Sequence, residues 1–481
     1  MSRWRRITTK IAMLSSMLSM YLYGCTLAND IDVCERTLPL PKTVNVRNEG
    51  DQRITGAQAI APLANGGAFV VFASDVSGAT DDSNSEIRGT RLDNEGARLP
   101  TCYEPSEFTY AEPVFNGADV QQKKGASVGM PENGDEAGLI SFVSIDDNNY
   151  SIYVQAITAD GCTYQNQTPV KISAEEPNTV VSLPSVISMG DWKFAVVWVS
   201  VLNGNDFRVR ARVVLVDKDI QFLPVTDAAT GTGNKGEPVD IINTGYMPAG
   251  ADAVCIGDGR FAIVWVSLVS HVSNVSIEVY YAVLNDKLET EGGPFKAYSS
   301  SGFDRVPEIL QPDIAYDGKQ LFIVWQSRDT KGINRIYGRF ATIDGNFLPA
   351  GSTENNQAFR ISNNKDGEEG WVAATERFDG GFFVTWVLEN SSEETSTSQL
   401  MARVYNSERK EQFINFGCGR EQFRLVDKNN ESNSNRISLT TLSNGTIVAV
   451  WTDTGSNEVT QRGYSSVRSS AFEPRNYLPI E

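Results

Sequence analysis

One histidine, His271, is all that 481 residues contain. Ser-His-Asp and Cys-His chemistry would have to run through that single imidazole, and metal sites built from several histidines are excluded by count. Its neighbours Ser270, Val272, Ser273 and Asn274 supply neither a nucleophile elbow nor a carboxylate cluster, so His271 reads as an exposed loop residue and no catalytic residue is assigned. The six cysteines form no Cys-x-x-Cys pair, which removes zinc and dithiol motifs. No Asp-x-Asp-x-Asp-Gly string is present; Asp427-Lys428-Asn429-Asn430-Glu431 approaches one but lacks the glycine turn of a calcium loop. No glycine-rich phosphate loop opens a helix, and helical periodicity is nearly absent. The expectation is therefore no metal and no cofactor. Past Cys25 no stretch approaches the roughly 18 uninterrupted apolar residues at which a spanning helix is considered.

What the chain does contain is one phrase repeated seven times: a glycine-bearing turn, an apolar run, then a large aromatic. The copies end on Phe72, Phe142, Trp198, Trp265, Trp325, Trp386 and Trp451. Their period, roughly 55 to 70 residues, is too long for a helical solenoid and suits a four-stranded propeller blade with generous loops. Before most anchors sits a tight-turn signal, as in Asn65-Gly66-Gly67, Asp258-Gly259, Asp317-Gly318, Asp379-Gly380-Gly381 and Asn444-Gly445, residues that supply the positive φ of two-residue hairpin turns. A short apolar segment precedes each turn, and a third follows each anchor, as in Ile336-Tyr337-Gly338-Arg339-Phe340. A fourth comes later, for example Phe359-Arg360-Ile361 or Phe423-Arg424-Leu425. The fold class is thus all-β: a seven-bladed propeller of four-stranded antiparallel blades.

The anchor strands are apolar at nearly every position, which means both faces are covered, as they are when a blade lies between two others. The aromatics are wedges between blades, each burying roughly 150–250 Å². Third strands carry Arg91, Arg212, Arg339 and Arg403 at what reads as one register. A ring of cations for an anionic ligand is one reading. Stems packed along the sheet with heads in solvent is the other, favoured because the third strand lies toward a blade's outside. The repeat resembles the seven-bladed propellers of exported bacterial proteins, with their FVVxW, IYxRxF and DG pattern. That resemblance covers nearly the whole chain past its start, and implies the fold but no activity.

The boundaries follow. Residues 1–25 hold Arg3, Arg5, Arg6 and Lys10, an apolar stretch, and Leu22-Tyr23-Gly24-Cys25, which resembles a bacterial lipobox with Cys25 as the lipid-bearing residue; Tyr23 departs from that pattern, and cleavage after Ala28 is the alternative. Residues 26–56 form a tether whose Thr43-Val44-Asn45-Val46 can supply the last blade's outer strand. Residues 57–475 are the propeller, and 476–481 a tail. The expected address is an outer-membrane lipoprotein held only through its anchor, or a secreted protein. The net charge is −18, and more negative still once the segment ending at Cys25 is removed with its four cations. Such a surface repels nucleic acid and suits a basic partner or a cation. Cys34, Cys102, Cys162, Cys255 and Cys418 are odd in number, so one thiol stays single within the chain. Of these Cys255 reads as a buried small hydrophobe.

With no catalytic constellation in view, the leading expectation is a non-enzymatic scaffold for a protein partner in the cell envelope. The alternatives are a carbohydrate-active enzyme using paired carboxylates, although the sialidase-type Ser-x-Asp-x-Gly-x-Thr-Trp box is absent, and a propeller that binds a small ligand or cation. Loops between second and third strands emerge on one face with those linking blades. There Asp75, Asp81, Asp82 and Glu86 of the first blade, Asp146 and Asp147 of the second, Glu389, Glu393 and Glu394 of the sixth and Asp453 of the seventh would form one acidic arc, or simply a solvated surface.

Overall fold

The computed structural model describes residues 41–44, 51–54, 56, 58–75, 85–99, 112–115, 122–131, 137–146, 149–158, 169–173, 180–202, 206–217, 219–222, 238–243, 247–270, 275–303, 311–329, 331–351, 357–363, 367–391, 396–412, 422–425, 434–453 and 466–473. These form seven antiparallel sheets with no helix among the described residues. In the fourth blade the strands run in chain order from the inside out: Met247–Gly257, Arg260–Ser270, Val275–Asn285 and Thr290–Phe303. Each inner strand touches the inner strands of both neighbours, and the first touches the seventh, so the blades close into a ring. The last blade ends its own run at Ser466–Phe472. Its outer strand is Lys42–Thr43, with Lys42 opposite Ser469 and Thr43 opposite Arg468, and Val44 N–H donates to Val467 O at 2.9 Å. This pairing covers what would otherwise be a bare sheet edge.

Turn chemistry sets the inner hairpins. Gly67 and Gly381 hold φ of 78° and 89°, a region open to glycine at little cost. A Cβ on either would come within 2.1 Å of Leu92 O or 2.3 Å of Tyr405 O, so the second glycine of each Gly-Gly pair is dictated by close approach to the third strand as well.

Between blades the core forms as wedges. Trp325 joins a cluster drawn from the fourth and fifth blades, Trp386 one from the fifth and sixth, and Trp451 one from the sixth and seventh. All five tryptophan anchors are essentially fully buried. The arginine expectation is corrected in two respects. Arg212, Arg339 and Arg403 lie opposite Val196, Ile323 and Val384, two positions before their anchors, whereas Arg91 lies opposite Phe69, three before Phe72. Nor do the heads of Arg212 and Arg403 reach solvent: both residues are buried, Arg212 Nη1 donating to Ile172 O of the preceding blade at 2.7 Å and Arg403 Nη1 to Glu411 at 2.7 Å. They stitch third strands to outer strands.

Candidate functional site

Five carboxylates are buried among the described residues: Glu86, Asp252, Asp313, Glu369 and Asp453. Three have a guanidinium. Glu86 pairs with Arg88, Asp453 with Arg468 at 3.3 Å, and Glu369 with Arg335 at 3.5 Å and Arg360 at 3.9 Å. Asp252 and Asp313 have no cation among the described residues and face each other instead. A buried carboxylate without a cation is costly and takes a proton instead.

Strand register places this pair. Opposite the residue just before each anchor aromatic stand Ser127, Ser185, Asp252, Asp313, Ala373 and Ser438 in the second to seventh blades. Ala59 takes that place in the first, receiving the N–H of Val71. Together they make a belt around the axis at one height. Belt side chains bridge to the next inner strand: Val186 N–H donates to Ser127 Oγ at 3.0 Å, Ala374 N–H to Asp313 Oδ2 at 3.1 Å, and Ala59 N–H to Ser438 Oγ at 3.1 Å. Ser185 Oγ donates to Asp252 Oδ1 at 2.7 Å, and Ile314 N–H to Asp313 Oδ1 at 2.6 Å. Asp252 and Asp313 also share a hydrogen bond across the two inner strands.

Burial pushes the carboxyls of both aspartates up, and for Asp313 the neighbouring Asp252 charge and hydrogen bond push further, to well above the usual carboxylate range. The pair therefore holds a proton that an exposed aspartate would have lost, and behaves as one titrating unit. It finds no third metal-ligating side chain among the described residues.

Asp313 lines a cavity of about 420 Å³ on the ring axis, walled by inner strands of all seven blades. The lining runs from the belt to Gly190, Gly257 and Asp258, so the cavity lies toward the face that carries the inner hairpin turns. At the belt Gln58 Nε2 donates to Ala253 O, crossing the axis from the first blade to the fourth. A second carboxylate, Glu376, lines the same cavity from the sixth blade, with Thr375 Oγ1 donating to its Oε2 at 3.2 Å.

This is not where the sequence put the site. Of the expected acidic arc, Glu86 and Asp453 are corrected: each is buried in an arginine pair because a strand, not a loop, carries it. Asp75 and Asp146 close their strands, and Glu389 is an exposed strand residue. Asp81, Asp82, Asp147, Glu393 and Glu394 lie outside the described residues, as do Cys25 and His271. Cys255 is half-buried and lines the axial cavity rather than the core. In each copy the belt position precedes its anchor by a nearly constant interval, as Ser185 precedes Trp198 and Asp252 precedes Trp265. That interval was the signal by which Asp252 and Asp313 could have been found.

No family model matches the chain, and no curated protein matches it. Solved structures are similar in fold. An ulvan lyase bound to -[GlcA(1-4)Rha3S]- is 9% identical, with 92% of this chain and 100% of that one covered at a TM-score of 0.47. A mutant of the NanB sialidase from Streptococcus pneumoniae is 12% identical, over 92% of this chain and 71% of that one, at 0.43. An endo-arabinase from Bacteroides thetaiotaomicron is 15% identical, over 55% and 88%, at 0.34. These likenesses concern the fold alone. The expectation of a non-enzymatic scaffold is nevertheless corrected. That expectation rested on the absence of a catalytic constellation, and the carboxyl pair, with Asp313 on the axial cavity, is such a constellation.

Proposed function

We propose that the chain is a carbohydrate-active hydrolase working in the axial cavity, with Asp313 as general acid and Glu376 as the second carboxylate. The substrate class is part of the proposal; the chemistry rests on the side chains. One observation carries it: Asp313, paired with Asp252 rather than with a cation, faces the cavity, and burial and the neighbouring Asp252 push its carboxyl well above the usual carboxylate range. Cleaving a glycosidic bond needs a proton for the leaving oxygen and a carboxylate on the other side of the sugar, and an elevated pKa is what keeps the acid loaded at neutral pH. Asp252 is then a positioning residue, held by Ser185 and acting through Asp313. Glu376 lies two positions beyond Ala374, whose N–H donates to Asp313 Oδ2.

The test is reducing-end release from a panel of neutral, amino and acidic polysaccharides, with NMR of the first anomer formed. Asp313→Ser and Glu376→Gln should each lower turnover by about 100-fold or more while circular dichroism stays that of the wild type. Serine already fills the belt in three blades, so Asp313→Ser is compatible with the ring. Full activity in Asp313→Ser, or a folded wild type that cleaves nothing on the panel, would sink the reading.

A further inference from the structure

We propose that the axial cavity is a blind pocket floored by Gln58, so that the protein acts on the end of a glycan chain rather than within it. The inference rests on the carbohydrate-active reading above and makes Gln58 the residue that sets how much of the substrate fits. Register shows how the first blade builds this floor. Arg53 stands opposite Ala73 and Ala59 receives the N–H of Val71, which leaves residues 54–58 against the single Phe72. In the second and sixth blades the same place holds an ordinary bulge, with Gly125 and Ala126 against Phe142, and Trp371 and Val372 against Trp386. A bulge re-aims a strand with one extra residue. The longer excursion of the first blade runs against its neighbour, so close that a Cβ on Gly56 would come within 2.0 Å of Ala126 O.

The end of the excursion is pinned. Gln58 O receives the N–H of Val128 at 2.9 Å, and the next residue, Ala59, donates to Ser438 Oγ at 3.1 Å. From that fixed base the Gln58 amide crosses to Ala253 O. The cavity stops at this height. In the second to seventh blades its lining among the described residues starts at the belt or just beyond it, with Val128, Val186, Val254, Asp313, Ala374 and Leu439. The inner strands nevertheless continue to the other side of the belt, as Met247–Gly257 does past Asp252 and Glu368–Glu376 past Ala373. Asp313 therefore stands at the closed end, and a chain has no room to run on past it. Whatever lies on the floor side of the bond it protonates is a terminal group. The cavity of about 420 Å³, toward the small end of the roughly 300–1,000 Å³ of ligand sites, suits about one or two sugar units.

Chain ends and chain mass can be varied separately. Each polysaccharide of the panel is offered to the full chain at equal mass, intact and acid-cut to chains about a tenth as long, and both binding and cleavage are followed. If the pocket takes ends, shortening should raise the limiting rate and the bound fraction about tenfold, in step with the number of ends. Products should be single units or pairs, while the viscosity of the intact polymer holds. Gln58→Ala opens the floor and should lengthen the products; Gln58→Met, which keeps the reach of the side chain without its amide, should restore their length. Circular dichroism checks that both variants fold. Rates and binding that follow mass alone, with viscosity falling from the start, overturn the proposal and leave the hydrolase reading standing. So does an unchanged product length in folded Gln58→Ala. Binding that follows chain ends with no cleavage upholds the floor and overturns the hydrolase reading instead. A folded wild type that neither binds nor cleaves overturns both.

Discussion

Replacing Trp325 by alanine tests the wedge packing on which the axial site depends. The indole is fully buried, 5.1 Å between ring centroids from Tyr298 of the fourth blade and 6.5 Å from Tyr337 of its own. Its removal returns roughly 150–250 Å² of apolar area to water, which at about 25 cal/mol/Å² is about 4–6 kcal/mol. Measured large-to-small changes of this kind cost about 3–5 kcal/mol, and we expect that range. Trp325→Phe should cost far less, because Nε1 of Trp325 has no partner among the described residues and its loss strands nothing. Trp198→Phe makes the contrast. There Nε1 donates to Ser200 Oγ at 3.0 Å, so the change removes a buried hydrogen bond worth about 1 kcal/mol net. Phe378, 61% exposed beside an inner turn, supplies the control, since Phe378→Ala should stay within about 0.5 kcal/mol. Urea titration followed by far-ultraviolet circular dichroism ranks the four. A midpoint for Trp325→Ala equal to that of Phe378→Ala would refute the wedge and the blade register with it.

Two further outcomes follow from the same geometry. Val44→Pro removes both the N–H that donates to Val467 O and a buried side chain, so limited proteolysis should cut the seventh blade first and faster than in the wild type; an unchanged pattern would deny that strand its closing role. The Asp252–Asp313 pair keeps a proton in the folded state that the unfolded chain gives up above about pH 4. Its contribution is full below the unfolded pKa and is lost as pH rises through the folded one, with a slope of ~1.4 kcal/mol per pH unit in that window. Asp313→Asn should flatten that part of the stability curve, and an identical slope in the variant would place the proton elsewhere.

The ring was legible because its signals are local and repeated. Asp258-Gly259 and Asp317-Gly318 announce turns, Phe261 to Trp265 and Leu321 to Trp325 announce strands covered on both faces, and each copy reinforces the others. Val44 could be matched to an open edge because only one blade lacked a strand. The axial pair was hidden for a different reason. The apolar segments Ala253 to Ile256 and Ile314 to Tyr316 mark the inner strands, and each aspartate stands one position before its segment, where a reading by periodicity assigns it to a loop. That Asp252 and Asp313 meet is a property of register between the inner strands of two different blades, and no local pattern reports it. The acidic arc erred in the opposite direction: Glu86 and Asp453 look like loop charges in sequence, but Arg88 and Arg468 draw them into the sheet.

The belt also bears on whether the two aspartates serve only the ring. Ser127 and Ser438 accept a neighbouring N–H at 3.0 Å and 3.1 Å, and Asp313 does the same at 3.1 Å. For holding inner strands together a neutral hydroxyl is therefore sufficient, and Ala373 and Ala59 occupy the position with no side-chain acceptor at all. Two carboxyls placed side by side add desolvation and mutual repulsion, and the proton they retain relieves these only in part. The arginine-paired carboxylates show that the fold can supply a cation to a buried acid when stability is what the position requires. Among the described residues it supplies none here, where a carboxyl also lines the axial cavity. A ring needing only strand-to-strand hydrogen bonds is explained by serine. A carboxyl pair whose pKa is raised at the cavity wall is what the proposed hydrolase asks of it.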